Sequence, residues 1–437
     1  MKRITTIFLS SLLLSSLGLS AQDAPRTPIV RKGTQQTERR EKKKAVEQAT
    51  NHGLTERAKD FLSSDTITTD QVAWRRGIYR ALDLMQPANA PELRQALNKA
   101  PRQQAEAVAF LISYMPQRDL ETLTASFILD NVACAYEAKE RFPWGKSIPK
   151  DVFFNDVLPY CVMNETRDNW RRDFYERFAK YVAGARDIFE AIEALNKNIR
   201  NEVQVDYNTK REKPDQSPYE SMRQNMASCS GLAVLLTDAF RAVCIPSRIA
   251  GTPNWYDKRG NHSWNEVWAD GKWYFTEYYP SGLDKSWFLS SAGRADEHSA
   301  EHAIYATSFR PTGIHFPLVW DSTITYVAAE NVTKRYVELY RKESADKLKG
   351  DYINVKVTYV DPTRDGDKRV AVNVDVFDSN GQVDGGRTAD GNRDLNDFLT
   401  FTLKKHHEYL LKYFLPDGTE RQYRFATADK EILVELK

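Results

Sequence analysis

The chain of 437 residues is long enough for two or three domains, and 41% hydrophobic with 28% charged residues is typical of a globular protein. Its formal net charge of +2 offers no electrostatic basis for binding nucleic acid or an anionic membrane surface. We therefore expect no nucleic-acid partner.

Residues 1–21 have the organisation of a secretory signal peptide. Lys2 and Arg3 precede an apolar run over 7–19, and the small residue Ala21 marks the predicted cleavage site. The run is too short to span a bilayer, and no later segment is apolar enough to do so. We therefore expect an exported protein, secreted or periplasmic, with no membrane span.

Residues 55–200 are predicted to form a helical domain. Thr68 and Gln71 have the spacing of a capping box, and apolar residues recur at helical intervals over 170–195. A segment rich in proline and aromatic residues, 142–160, interrupts the helical pattern. We favour a packed loop for it over the lining of a cleft.

The second half of the chain changes to strand patterns. Asp270-Gly271 separates two alternating runs, which predicts a β-hairpin. Residues 350–437 alternate strictly between apolar and polar, with turn signals at Asn380-Gly381 and Asp417-Gly418. This pattern predicts a small C-terminal β-sandwich of immunoglobulin or transthyretin-like type.

The chain has four cysteines, Cys134, Cys161, Cys229 and Cys244. Export makes disulfides possible, and four cysteines allow three full pairings. If the segment between Cys229 and Cys244 is helical, the two lie roughly 20 Å apart at about 1.5 Å per residue. Disulfide-bonded Cα atoms lie within about 7 Å, so we expect these two not to pair with each other.

Cys229 stands immediately before a predicted amphipathic helix, whose single apolar stripe consists of Leu232, Leu235, Leu236, Ala239, Phe240 and Val243. Unpaired N–H groups and the helix dipole at that end favour a thiolate. His262 opens an alternating run, HSWNEVW, and the hairpin at Asp270-Gly271 brings Glu277 of the partner strand roughly opposite the start of that run. A carboxylate there can bind one imidazole nitrogen while the other faces the thiol. The spacing predicts Cys229 as nucleophile, His262 as base and Glu277 as the group that orients the base.

The same residues carry a family resemblance. The pattern C-x-G-x-A-x-L-L-x-x-x-x-R-A-x-x-I-P-x-R, followed by H-x-W-x-E-V-W and G-K-W-Y-F-x-E, resembles the transglutaminase-like superfamily over about 225–280. The resemblance implies a papain-like core with Cys229 as nucleophile and His262 as general base. Glu277 stands where the family usually has aspartate, and Cys244 stands where it often has glycine. The wider layout resembles secreted bacterial members with a helical front domain and a C-terminal β-module.

This resemblance implies an enzyme that acts on amide bonds through a thioester, either as a protease or amidase or as a transamidase. The expected substrate is a peptide or protein, with cell-wall peptide as one candidate, and no cofactor is implied. The Cys229 N–H and the side chain of Gln224 are candidate donors to the oxyanion. Trp255, Trp264 and Trp268 are candidate lining residues of the substrate cleft.

Two other functions compete with this interpretation. Because Glu277 departs from the family pattern, the core can instead be a non-catalytic scaffold that binds peptide or glycan in its cleft. His298, Glu301 and His302 formally match the H-x-x-E-H zinc motif, although no third ligand is evident. A solvated helix face is the preferred interpretation of that segment.

Taken together, the patterns predict an α+β protein with a helical N-terminal region, a papain-like transglutaminase core of one helix and an antiparallel sheet, and a C-terminal β-sandwich. The predicted segments are a signal peptide over 1–21, a charged linker over 22–54, a helical domain over 55–200, a catalytic core over 201–325 and a β-sandwich over 350–437.

Overall fold

A computed structural model describes residue 40, residues 74, 75, 77 and 78, and residues 89–437 except 281, 367, 393–397 and the side chain of 348. The predicted signal peptide, most of the predicted linker and the capping box of Thr68 and Gln71 lie outside these residues. Within them the protein combines helices and largely antiparallel sheets. Among the helices of these ranges, none has the length and apolar character needed to cross a bilayer.

The described residues from 90 to 203 form a helical region, as the sequence predicts. Apolar residues spaced at helical intervals build its core. Its α-helices are α1 (Ala90–Lys99), α2 (Ala105–Tyr114), α3 (Gln117–Thr122), α4 (Ala125–Arg141), α5 (Lys150–Asp156), α6 (Arg171–Val182) and α7 (Ile188–Val203), with a 3-10 helix at Pro143–Ser147.

The segment rich in proline and aromatic residues packs inside this helical layer. Trp144 is 4% exposed and its indole Nε1 donates a hydrogen bond of 3.0 Å to the carbonyl oxygen of Val243. Buried Arg171 donates hydrogen bonds to three successive carbonyls, those of Val157, Leu158 and Pro159. The segment is therefore packed as predicted, but the structure folds most of it into the 3-10 helix and helix α5 and not into a loop.

The middle of the chain wraps a sheet around one central helix. Its elements are β1 (Asp206–Tyr207), α8 (Pro218–Gln224), β2 (Met226–Ala227), α9 (Cys229–Ala242), β3 (Ser247–Thr252), β4 (His262–Ala269), β5 (Lys272–Thr276), α10 (Leu289–Ala292), β6 (Tyr305–Ser308) and β7 (Ala328–Asn331). The main sheet is antiparallel and has the order β5-β4-β3-β6-β7. The predicted hairpin between β4 and β5 is present, and Asp270 and Gly271 both have the positive φ of its turn.

Helix α9 is enclosed on all sides by the helical layer and the sheet. Every residue from 230 to 242 is buried, whereas the sequence suggests a single apolar stripe. Its polar face reaches partners in β4: the amide of buried Asn265 donates hydrogen bonds to the Ala233 carbonyl and the Thr237 hydroxyl. The helix is therefore held rigidly by its surroundings, and so is the position of its first residue, Cys229.

A further helix, α11 (Thr333–Leu348), leads into the C-terminal strands. These are β8 (Tyr352–Tyr359), β9 (Asn373–Asp378), β10 (Gly381–Arg387), β11 (Leu399–Lys404), β12 (Glu408–Phe414), β13 (Glu420–Ala426) and β14 (Ile432–Leu436). They form one sheet of order β10-β9-β12-β13 and one of order β11-β8-β14. Apolar side chains from both sheets meet in a single hydrophobic cluster.

The C-terminal region differs from the predicted pattern in two places. Strand β14 pairs with β8 in parallel, and the other pairings of the two sheets are antiparallel. Val370 and Val372 carry the alternation but precede the strand, which starts at Asn373. Alternation continues beyond the hydrogen-bonded ladder because the apolar side chains still face the same cluster.

Candidate active site

Cys229 is the first residue of helix α9. Ser228 caps the helix, and its hydroxyl accepts a hydrogen bond of 3.0 Å from the backbone N–H of Gly231. The N–H groups of the first turn have no partners within the helix, so this end carries partial positive charge. Cys229 is the one residue of α9 that is not buried, and it is a free thiol. The helix therefore presents this sulfur to solvent at its positive end.

The pKa of Cys229 differs in direction from those of the other three cysteines. Burial raises the thiol pKa of Cys134, of Cys161 and of Cys244, the last to about 12. At Cys229 burial also acts to raise the pKa, but the hydrogen bond and positive charge of His262 outweigh it and lower the value. All four thiols are free, so Cys229 and Cys244 are not paired with each other, as predicted.

His262 begins strand β4, which lies beside the start of α9 in the packed core. Its ring has Trp287 and Phe288 at centroid distances of 5.2 Å, and Trp264 and Trp255 at 5.7 and 6.2 Å. Aromatic side chains therefore pack around the imidazole. Burial acts to lower the pKa of His262, but Cys229 and Glu277 outweigh it and raise the pKa to about 9.

Glu277 follows strand β5 and lies on the far side of the imidazole. Its Oε2 is 3.7 Å from Nε2 of His262, which is an ion-pair distance and too long for a hydrogen bond. The buried Nε2 accordingly has no hydrogen-bond partner. Because Nε2 faces Glu277, Nδ1 is the nitrogen left for Cys229. The hydroxyl of Ser286 donates a hydrogen bond to Oε1 of Glu277 and holds the carboxylate in place.

The three predicted residues come together at an open cleft of about 540 Å³. Trp255 and Trp264 also line this cleft, although they are only 3% and 0% exposed. Trp268 does not line it and instead packs on the helical core. Gln224 is not among the lining residues either, and its Oε1 accepts a hydrogen bond from the backbone N–H of Glu212.

Sequence patterns did not identify two kinds of residue at this cleft. Trp287, which lines the cleft, and Ser286, which contacts Glu277, lie in the loop before α10, where no periodicity or motif marks them. Asn373 and Asp375 line the same cleft from the C-terminal sheet, far away in sequence. Only the packing of the C-terminal strands on the core brings those side chains to the cleft.

The H-x-x-E-H segment does not have the geometry of a zinc site. Residues 298–302 form turns and not a helix, so the two histidines do not share a helical face. The side chain of His298 is 87% exposed, while Nδ1 of His302 contacts the backbone oxygen of Asn254 at 3.1 Å. Within the described ranges no three side chains of histidine, cysteine, aspartate or glutamate are grouped to hold a metal ion.

The backbone at Cys244 has a conformation that favours glycine. Its φ is +59°, in the left-handed region that glycine adopts without steric cost. The side chain is fully buried beside the end of α9 and contributes to the hydrophobic core. This thiol therefore fills space and has no role at the cleft.

Residues 176–278 match the family model of the transglutaminase-like superfamily. This range contains Cys229, His262 and Glu277, and it ends one residue after Glu277. No sequence among curated proteins matches the chain.

Several solved structures resemble parts of the chain. A putative cysteine protease from Cytophaga hutchinsonii is 17% identical, with 34% of this chain and 50% of that chain covered and a TM-score of 0.26. A structure described as a TGase is 14% identical, covering 26% and 33%, with a TM-score of 0.22. Red sea bream transglutaminase is 10% identical, covering 65% of each chain, with a TM-score of 0.32. The chain thus spans about half the length of the first and a third of the second, and TM-scores below 0.5 assign no activity to it.

Proposed function

We propose that this chain, whose residues 176–278 carry a transglutaminase-like domain, is an exported cysteine-dependent enzyme that acts on amide bonds of peptides or proteins. One observation carries the proposal. The thiol at the start of α9 has a lowered pKa while its imidazole partner has a raised one, and both face an open cleft. These shifts favour a thiolate–imidazolium pair over a neutral thiol and imidazole.

The proposed reaction proceeds through a thioester. The thiolate of Cys229 attacks the amide carbonyl carbon, and its electron pair forms a C–S bond while the carbonyl oxygen becomes an oxyanion. The N–H of Cys229, which has no partner within the helix, is the proposed donor to that oxyanion. As the C–N bond breaks, His262 gives its proton to the leaving amine. Neutral His262 then takes a proton from water, in hydrolysis, or from an acceptor amine, in transamidation, as that water or amine attacks the thioester carbon. The C–S bond breaks, the acyl group leaves as a carboxylic acid or a new amide, and Cys229 returns to the thiolate.

Glu277 is the proposed third member of the triad. Its negative charge stabilises the imidazolium at 3.7 Å, and its hydrogen bond from Ser286 fixes its position. The extra methylene of glutamate relative to the aspartate usual in the family is accommodated by this anchor. Since Nε2 lacks a direct hydrogen bond, a substrate that closes the cleft has room to shorten the contact.

For the C-terminal strands we propose an immunoglobulin or transthyretin-like sandwich, because two sheets share one hydrophobic cluster. A peptide or protein substrate fits a cleft of about 540 Å³ lined by aromatic and polar side chains. Cell-wall peptide remains one candidate among such substrates.

The alternative function is a non-catalytic scaffold that binds peptide or glycan in the same cleft. The long contact between His262 and Glu277 is the observation that favours it. The two functions differ in the chemistry of Cys229: a scaffold needs no thiolate, whereas the enzyme does.

Alkylation by iodoacetamide at pH 6, followed by peptide mapping, tests the proposal. A thiol with an ordinary pKa of about 8.5 is about 0.3% thiolate at that pH. A fully formed thiolate of lower intrinsic nucleophilicity should still react on the order of tenfold faster or more. We expect this advantage at Cys229 and its loss in His262→Ala.

Two controls make the experiment specific. His298→Ala removes a solvent-exposed histidine and should leave labelling unchanged, and the buried thiols of Cys134 and Cys161 should stay unmodified. Slow labelling of Cys229 that is the same with and without His262 would refute the enzyme and favour the scaffold.

A further inference from the structure

The catalytic cleft has a second wall that belongs to the C-terminal sheet. Asn373 and Asp375 of β9, Gln382 of β10 and Phe414 of β12 line the same cavity as Cys229. In the sheet, β9 lies between β10 and β12, so these side chains form one continuous patch. The cleft is therefore a space between the core and the C-terminal strands.

Strand β9 is built for this position. Val374 and Val376 are fully buried in the C-terminal hydrophobic cluster. Asn373 and Asp375, which alternate with them along the strand, point to the opposite face. On that face, Nε2 of Gln382 donates a hydrogen bond of 3.2 Å to Oδ1 of Asp375. The outer face of β9 is thus polar where it meets the cleft.

Buried and partly buried polar contacts hold this wall against the core. Nη2 of Arg259 donates to the carbonyl oxygen of Gly385 at 3.2 Å, while its Nε pairs with Asp257 at 2.8 Å. The hydroxyl of Ser291 also donates to the Gly385 carbonyl, at 3.3 Å. Arg294 reaches the carbonyl of Thr400 at 3.1 Å. Arg259, which itself lines the cleft, therefore connects the two walls.

A side chain at position 385 would displace the polar groups that meet there. A Cβ at Gly385 would lie 2.9 Å from Oδ1 of Asp375 and 3.2 Å from Nη1 of Arg259. The glycine lets the carboxylate and the guanidinium come close together at the junction of the two walls.

The charges around Asp375 leave its carboxylate incompletely compensated. Burial raises its pKa, and the positive charges of Arg259 and Lys412 lower it without cancelling the effect of burial, while Glu420 adds to the rise. Arg259 is already engaged by Asp257, and the ammonium of Lys412 lies 4.8 Å over the ring of Phe377. A further positive charge in the cleft would stabilise the carboxylate.

The space between the walls extends beyond the catalytic residues. A neighbouring cavity of about 370 Å³ shares Trp287 and Gln382 with the cleft and continues between α11 and β10. Together the two cavities can hold an extended peptide that reaches beyond the residue whose amide bond is attacked.

From this arrangement we infer that the C-terminal sheet is a specificity wall of the catalytic cleft, in which Asp375 binds a positively charged amino group of the substrate. The inference rests on the proposed function and goes further, because it names the group that is selected. Such an amino group belongs either to the peptide that is attacked or to a separate amine that accepts the acyl group.

Thiol reagents of different charge test the inference without a known substrate. Cys229 is alkylated at pH 7 and low ionic strength with cationic 2-bromoethylamine, neutral iodoacetamide and anionic iodoacetate. Because one unit charge in a partly solvated cleft acts in opposite directions on the cationic and the anionic reagent, Asp375→Asn should lower the ratio of the cationic to the anionic rate about fivefold. Asp375→Glu, which keeps the charge, should keep most of the ratio.

Asp378→Asn is the matched control, because it removes a carboxylate from the end of the same strand outside the cleft. An unchanged ratio in Asp375→Asn, or an equal fall in Asp378→Asn, would overturn the inference. The proposed function is judged separately by the iodoacetamide rate of the wild-type protein: fast labelling with no charge selectivity removes only the inference, whereas slow labelling removes the function itself.

Two further probes separate the sources of the amino group. If it belongs to the attacked protein, wild-type enzyme cleaves casein faster than acetylated casein, and Asp375→Asn loses that difference. If it belongs to an acceptor, Asp375→Asn instead reduces incorporation of monodansylcadaverine into dimethylcasein, with KM for the amine rising severalfold. If the variant alters neither reaction, Asp375 does not bind a substrate amino group.

Discussion

Replacement of Glu277 by glutamine tests how the imidazolium is stabilised. The change keeps the size of the side chain and its ability to accept from Ser286, but it removes the charge that lies 3.7 Å from Nε2 of His262. At that separation a unit charge is worth roughly 4 kcal/mol at an effective dielectric constant of 20 and roughly 1 kcal/mol in water.

The surroundings of the pair place the effect between these limits. The side chains of His262 and Glu277 are 15% and 11% exposed, so water screens them in part. About 2 kcal/mol corresponds to roughly 1.5 pKa units. Because Glu277 raises the pKa of His262, its neutralisation should lower that pKa from about 9 to roughly 7.5.

The pKa of His262 can be measured directly by NMR of protein labelled at histidine carbon. The chain has 7 histidines, so the resonance of His262 can be assigned from its absence in His262→Ala. The alkaline decline of kcat/KM should move down by the same amount, since loss of the imidazolium removes the proton donor to the leaving amine. A titration of Glu277→Gln within about 0.3 units of wild type would show that Glu277 does not stabilise the imidazolium.

The remaining predictions concern the wall that the C-terminal sheet adds to the cleft. Arg259→Ala removes the hydrogen bond to Gly385, and we expect faster limited proteolysis between the core and β8; an unchanged pattern would show that other contacts suffice. Asp384→Asn should flatten the pH dependence of stability, because burial raises the pKa of Asp384 to about 6 and an acid with a raised pKa costs folding energy as pH rises from about 4 to 6. This rise in the pKa of Asp384 corresponds to nearly 3 kcal/mol of unfolding free energy, which partial exposure of the side chain reduces to about 2 kcal/mol. Denaturation curves of the two proteins at several pH values measure the difference. A stability difference between wild type and Asp384→Asn that is the same at pH 4 and at pH 7 would contradict this prediction.

The sequence was informative wherever local pattern and chemistry coincide. The turn at Asp270-Gly271 requires residues that accept a positive φ, and both of these residues do. The position of Cys229 at a helix end was predictable because the helical pattern begins directly after it. It was less informative about α9, whose polar residues resembled a solvent-facing side. Thr237 is buried because Asn265 of β4 donates to its hydroxyl, a long-range pairing that periodicity does not encode.

The second wall of the cleft was out of reach for the same reason. The alternation of Val374 and Val376 with Asn373 and Asp375 predicted a strand with one polar face, which in isolation indicates solvent. Only the docking of that face on the core makes it a wall of the cleft. Trp287 had no local signal at all, since it lies in a short irregular loop next to His262.

The complete enclosure of α9 implies an uneven distribution of stiffness within the cleft. Because residues 230–242 are buried, their amide protons should exchange with solvent only when the whole core opens. The opposite wall has its own hydrophobic cluster and is tied to the core by hydrogen bonds such as that of Arg259. On the proposed mechanism, substitutions in β9 and β10 change what the cleft binds without moving Cys229, so that substrate preference can diverge among descendants of this chain while the reaction stays the same.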